Sequence, residues 1–197
     1  MSDMIVNLSK DQRVSLTKRS DDFQNLRVGL SWDAPKEPVN GFQFDLDASV
    51  LILDPNGKCH GSKNFIFYGN PESACGAIKC GKDSLDGAGE GDDEQITLKR
   101  ARLPETAAIL RYVVSIHDAK ERGHDFGQVK NASFRIEDID TGKTLLRFSL
   151  TDDYKPETGV VMADIYREDG NWKVRAVGQG YREGLQGVLA EAGLLIG

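Results

Sequence analysis

No stretch of this sequence approaches the ~20 consecutive apolar residues that a membrane-spanning helix requires. The opening "MSDMIVNLSKDQRVSL" also lacks the basic start and long apolar core of a secretory signal. A cytoplasmic protein without a membrane span is therefore expected. Dense Lys/Arg stripes are missing too, and the formal net charge is −6, which argues against direct nucleic-acid binding through a basic surface. Cysteine is scarce. Cys59, Cys75 and Cys80 are odd in number and show no CxxC spacing, so free thiols in a reducing compartment fit better than a disulfide framework.

Catalytic signatures are equally thin. His60, His117 and His124 form no HExxH pair, and there is no GxSxG elbow and no GK[ST] phosphate loop. Trp32 and Trp172 are the only tryptophans, too few for the aromatic sugar cleft of a two-carboxylate glycosidase, and they read as core anchors.

What the 197 residues do hold is 39% hydrophobic and 28% charged side chains, ordinary globular proportions. The apolar residues gather in short β-branched and aromatic runs: "LRVGLSW", "LDASVLIL", "NFIFY", "ILRYVVSI", "ASFRIEDI", "TLLRFSL", "VVMADIY" and "WKVRAV". Turn chemistry separates several of them, as in "DPNGK", "DIDTGK" and "EDGNW". The spacing predicts an all-β fold, an antiparallel β-sandwich. One short C-terminal helix is expected where Leu185, Val188, Leu189, Ala192 and Ile196 recur at helical intervals, and a further helical turn after Pro104 in "PETAA".

Offset by about 85 residues, the chain matches itself. "VGLSWDA" (28–34) lies over "VVSIHDA" (113–119), and "LDASVLILDPNGK" (46–58) over "KNASFRIEDIDTGK" (130–143). This pairs Asp33 with Asp118, Asp47 with Asn131 and Trp32 with His117. Two similar halves, roughly 1–95 and 96–197, are expected to pack as one sandwich, with oxygen-bearing side chains converging on a shared edge.

At the end of the first half lies "DSLDGAGEGDDE" (83–94), with six carboxylates, three glycines and no basic residue. Carboxylates held that close repel one another unless a cation neutralises them. Calcium suits such a set because it takes six to eight oxygens, and Gly87, Gly89 and Gly91 let backbone carbonyls turn toward an ion. The expected ligands are Asp83, Asp86, Glu90, Asp92, Asp93 and Glu94, with Gly89 and Gly91 supplying carbonyls. Asp33, Asp45 and Asp47 from the first half and Asn131 from the second are expected to join them. The loop is not an EF-hand: with Asp83 at position 1, Leu85 and Gly87 fall at ligand positions and Ala88 replaces the turn glycine. "GAGEGD" occurs once, whereas a calcium β-roll needs tandem copies.

"WDA", "FDLDASVLIL", "NFIFYGNPES", "GEGDDE", "FGQVKNASFRI" and "WKVRAVGQGYREGLQGV" together resemble the TerD family of tellurium-resistance and general stress proteins, over nearly the whole chain. The resemblance implies a single TerD-like domain, a β-sandwich with acidic calcium sites and no established catalytic activity. It also implies roles in bacterial resistance to tellurite and other toxic agents. The family's acidic motif, GDN(L/R)TGxGxGDDE, falls on Gly81, Asp83, Ser84, Leu85, Asp86, Gly87, Gly89, Gly91, Asp92, Asp93 and Glu94. Lys82 is inserted after the first glycine, and "DSLD" stands for the usual "DNLT", so Asp86 is a candidate to replace what Ser84 supplies less well than asparagine.

The expectation is thus a cytoplasmic calcium-binding stress protein holding two ions, a binding or scaffold module and not an enzyme. Its expected partners are other tellurium-resistance proteins and a membrane-embedded partner complex, met at the inner face of the membrane. The alternative is a divalent-metal-dependent hydrolase using the same acidic groove.

Overall fold

A computed structural model describes residues 5–16, 23–33, 35, 37–81, 92–150 and 154–195. Its strands, in chain order, are β1 (Val6–Leu8), β2 (Arg13–Ser15), β3 (Asn25–Asp33), β4 (Leu46–Leu53), β5 (Phe65–Ile66) and β6 (Ile78–Cys80). They continue with β7 (Glu94–Lys99), β8 (Ile109–Ile116), β9 (Lys130–Asp138), β10 (Lys143–Ser149), β11 (Gly159–Glu168) and β12 (Asn171–Tyr181). Two α-helices accompany them, α1 (Ala119–Arg122) and α2 (Gly184–Glu191). None among the described residues is long and apolar enough to cross a membrane.

The strands form two six-stranded sheets, in the orders β1-β10-β9-β3-β7-β6 and β2-β12-β11-β8-β4-β5. Every pairing is antiparallel except β1 with β10. In β3 the period of two is visible: Leu26, Val28, Leu30 and Trp32 are buried in the core between the sheets, and Arg27 and Gly29 take the outer face. β4 is apolar almost throughout because the second sheet is covered on both sides. Val50 and Ile52 belong to the central core, while Leu51 and Leu53 join Val188 and Leu189 of α2 in a second cluster. The expected C-terminal helix is therefore present and packs as its apolar spacing requires; Ile196 lies outside the described residues.

The strands matched in the sequence repeat exchange between sheets. β3 of the first half pairs with β9 of the second, and β4 of the first half pairs with β8 of the second. The C-terminal end of β3 and the N-terminal ends of β7 and β9 thus share one end of the first sheet. The N-terminal end of β4 and the C-terminal end of β8 share one end of the second.

Turn residues do what their chemistry dictates. Asp169 and Gly170, both at positive φ (52° and 72°), close the β11–β12 hairpin, the mirror-image turn that matches strand twist. The segment after Pro104 departs from expectation. The Ala107 N–H donates to the Pro104 carbonyl at 3.0 Å, closing a single turn, and the β-branched run from Ile109 then carries the chain into β8 rather than into a helix. "NFIFY" also gives less strand than its composition suggests. Only Phe65 and Ile66 join β4, because the chain reverses between Phe67 and Asn70.

On the outer face of the second sheet, Asp164 is 2% exposed and clamped by two arginines. Arg111 Nε donates to Oδ1 at 3.0 Å, and Arg175 Nη2 to Oδ2 at 2.7 Å. Arg111 also reaches Glu191 of α2 at 3.2 Å, which ties the helix to the sheet.

Candidate functional site

The acidic end of the sandwich is built where the ends of β3, β4, β6, β7, β8 and β9 come together. Glu94 opens β7 and lies opposite Leu30 of β3, so its side chain shares the buried face and is 6% exposed. Asp47, the second residue of β4, lies opposite Ser115 of β8. Both carboxylates line one cavity of about 310 Å³ with Ala48, Tyr68, Pro71, Cys80 and Gly81. Two carboxylates from opposite sheets therefore meet at one space, and no lysine or arginine is among its described lining residues.

The flanking groups fix this end. The backbone N–H of His117 donates to the Asp45 carbonyl at 2.8 Å, holding the entry to β4 against the exit of β8. The His117 ring sits at the rim, with Nδ1 3.6 Å from Asp47 Oδ2 and Nε2 3.2 Å from Asp118 Oδ2. Tyr68, 59% exposed, stands edge-on to that ring. Asn131 adopts positive φ (54°), a conformation asparagine tolerates better than most residues, and its Nδ2 donates to Asp33 Oδ2 at 2.6 Å. Asp33 and Asn131 are thus joined to each other across the β3–β9 edge.

The described end of the acidic segment divides between the two faces of the first sheet. Asp93 is buried and its Oδ2 accepts the Trp32 backbone N–H at 2.8 Å, while its own N–H donates to Leu30 O at 2.8 Å. Asp92 turns to the outer face. There Arg135 of β9 grips it with two bonds of 2.6 Å, Nε to Oδ1 and Nη2 to Oδ2, and Gln95 Nε2 donates to it at 3.3 Å. This carboxylate raises the Arg135 pKa above its ordinary value, the charged pair outweighing desolvation. Arg135 also bonds Glu137 at 2.7 Å, and Glu137 bonds Arg27 at 3.0 Å.

Of the sequence-predicted ligands, then, Asp47 and Glu94 share the cavity and Asp33 and Asn131 pair with each other. Asp93 is tied to the β3 backbone, Asp45 offers its carbonyl to His117, and Asp92 is taken up by Arg135. Asp83, Asp86, Gly89, Glu90 and Gly91 lie outside the described residues. The described residues alone hold no group of three metal-ligating side chains close enough for an ion. Sequence reasoning did not single out Tyr68, Pro71 or Arg135. The strand-register match of Gly29 with both Gln95 and Arg135 identifies the last of these only once the sheet order is known. All three cysteines are free thiols; Cys59 is buried, and that burial raises its pKa.

A family model described as the TerD domain matches residues 4–191. The chain is 40% identical over 194 residues to general stress protein 16U of Bacillus subtilis (strain 168), covering 98% of this chain and 100% of that protein. It is 42% identical over 191 residues to tellurium resistance protein TerD of Serratia marcescens, covering 97% and 98% respectively. Among solved structures, SCO6318 from Streptomyces coelicolor A3(2), a homologue of telluride resistance protein (TerD), has a TM-score of 0.62. That likeness, at 22% identity over 81% of this chain and 91% of that one, is one of fold.

Proposed function

Because the chain belongs to the TerD family of tellurium-resistance and general stress proteins, we propose that it is a calcium-binding β-sandwich stress protein that binds or scaffolds and does not catalyse. One observation carries the calcium reading: Asp47 of the second sheet and Glu94 of the first line a single cavity together with Gly81, two residues before the acidic segment begins at Asp83.

The donor chemistry fits a hard cation. Calcium accepts carboxylate and carbonyl oxygens in flexible numbers, whereas magnesium demands a tight octahedron and gives up its waters reluctantly. Asp47 and Glu94 supply fewer oxygens than the six to eight calcium takes, so the remainder is assigned to Asp83, Asp86, Glu90 and the carbonyls of Gly89 and Gly91. Two ions are proposed, given the number of oxygens, with Asp33, Asp45, Asp93 and Asn131 at the same end. When bound, the ion supplies positive charge that neutralises carboxylates of both sheets and ties them together. The chain's own residues prepare that event. His117 stands against Asp47, the Trp32 N–H orients Asp93, and Asn131 holds Asp33 in place.

The names of the relatives, tellurium resistance protein TerD and general stress protein 16U, support a place in the same kind of response. We assign the module to the cytoplasm, working with other tellurium-resistance proteins and a membrane-embedded partner complex. Thermal melting with and without chelator tests the reading. Calcium at a hundredfold excess over its dissociation constant is expected to add roughly 2.7 kcal/mol, a rise of several degrees in Tm for a chain of this size. Identical melting curves would contradict it. Hydrolysis in a substrate screen with calcium, magnesium and manganese would turn the reading to the metal-dependent hydrolase.

A further inference from the structure

Asp92 belongs by sequence to an uninterrupted acidic run, "GDDE", yet its environment is unlike that of its neighbours. Its side chain is 5% exposed and lies flat against the outer face of β3 at Gly29. A Cβ on Gly29 would come within 2.2 to 2.4 Å of the Asp92 carboxylate atoms, so only glycine leaves room for it. Gly29 pairs with Arg135 on one side and Gln95 on the other, and both side chains donate to Asp92. The bidentate guanidinium–carboxylate geometry is the strongest and most directional ion pair available to side chains. Glu137 and Arg27 extend it into an alternating chain of charges across β9 and β3.

We propose that Asp92 is a positioning residue and not a calcium ligand: the Gly29–Asp92–Arg135 lock pins the C-terminal end of the acidic segment to the outer face of the first sheet. Pinned there, the next two residues are directed inward, Asp93 onto the Trp32 N–H and Glu94 into the cavity with Asp47. The proposal rests on the calcium reading above and refines it by removing one carboxylate from the ligand set. Arg135 becomes a determinant of metal affinity without approaching the ion. Its positive charge taken alone would weaken calcium binding, so a favourable effect must come from position.

That opposition of sign makes the test sharp. Calcium affinity is measured by calorimetry on the full chain and on Asp92→Asn, Arg135→Gln, Asp92→Asn/Arg135→Gln and Gly29→Ala. Supporting partners of metal ligands typically matter by about tenfold or more. Arg135→Gln is therefore expected to weaken binding about tenfold, although it removes a cation. Gly29→Ala is expected to weaken it similarly, although it changes no charge. The double variant should be no weaker than Asp92→Asn alone. Tighter or unchanged binding in Arg135→Gln and Gly29→Ala, with loss confined to Asp92→Asn, would overturn the proposal and make Asp92 a ligand. The lock has its own readout in chelator: Asp92→Asn and Arg135→Gln should each lower the Tm, and the double variant should fall no further than the lower of the two. Additive losses would overturn it. If the unmodified chain binds no calcium, the proposed function fails, and a non-additive cycle in chelator still establishes the lock.

Discussion

Asp164 on the outer face of the second sheet and Glu94 at the end of the first are both carboxylates in largely buried positions, at 2% and 6% exposure. Asp164 meets two arginines that arrive on neighbouring strands, β8 and β12, and its charge is answered where it lies. Glu94 instead lines a cavity with a second carboxylate, Asp47, carried by the opposite sheet. Asp92 sides with Asp164, clamped by an arginine from the next strand but one. The two sites differ in what lies beside each carboxylate. A strand-borne guanidinium completes a structural carboxylate, whereas Asp47 and Glu94, brought to one cavity from separate sheets, are the pair to which the proposed calcium site assigns its cation. That difference also explains why neighbours in one acidic run take different parts.

The largest effect should come from breaking the completed site. Asp164→Ala leaves Arg111, 12% exposed, with only the more exposed Glu191 and takes from Arg175 its buried carboxylate. Removing one partner of a buried ion pair typically costs roughly 3–5 kcal/mol, and denaturant unfolding in chelator should show a loss of that order. Calcium affinity should be unaffected. A loss below about 1 kcal/mol would erase the distinction between the two regions.

Next in size are two carboxylates of the acidic end, Asp47 in the cavity and Asp93, the residue before Glu94 in sequence. Asp47→Ala and Asp93→Ala should each weaken calcium binding by about an order of magnitude or more, because a divalent ion is left under-neutralised. Their cost to stability in chelator should stay below that of Asp164→Ala. If Asp47→Ala keeps the full calcium-dependent rise in Tm while Asp93→Ala loses it, the ion is held by the acidic segment alone and the sheets are not bridged.

A smaller effect is expected at Asn131, whose positive φ suits few residues. Asn131→Ala should cost about 1–2 kcal/mol by chemical denaturation, since alanine resists that conformation, and Asn131→Gly should cost less. Both variants lose the bond to Asp33, so calcium titration of the glycine variant reads that bond without the backbone penalty.

The smallest concerns a carboxylate far from either site. Asp54 in the "DPNGK" turn accepts the backbone N–H of Lys58 and then the His60 ring, which lower its pKa from 3.8 to about 2. A carboxyl depressed on folding stabilises fully above its unfolded pKa and loses that contribution as pH falls through the folded one. The Tm difference between Asp54→Asn and the unmodified chain should therefore be slight at neutral pH and close between pH 3.8 and about 2. A difference that persists at the acid limit would mean that the charge is not its cause.

Long strands were legible in the sequence because β-branched and aromatic residues run together between turn signals. "LDASVLIL" and "ILRYVVSI" coincide with β4 and β8 from end to end. The three-residue strands β1, β2 and β6 carry too few alternations to stand out, and β7 was hidden because its first residue closes the acidic run. Asp118 at positive φ starts the four-residue α1, which no helical periodicity can announce at that length. At the site, residue type and spacing pointed to the acidic end. They did not show that Asp92 would face away from Glu94, because the cause is a partner 43 residues distant on β9 and a missing Cβ on β3. Such cross-strand facts follow from sheet order, which composition does not encode.

The central claim is that the two sheets jointly hold calcium through Asp47, Glu94 and the acidic segment. Calorimetric titration of the metal-stripped chain with calcium and with magnesium tests it most directly. The account predicts calcium binding of micromolar order, tighter than magnesium, with about two ions per chain. Equal or tighter magnesium binding, or no calcium heat at all, would contradict it.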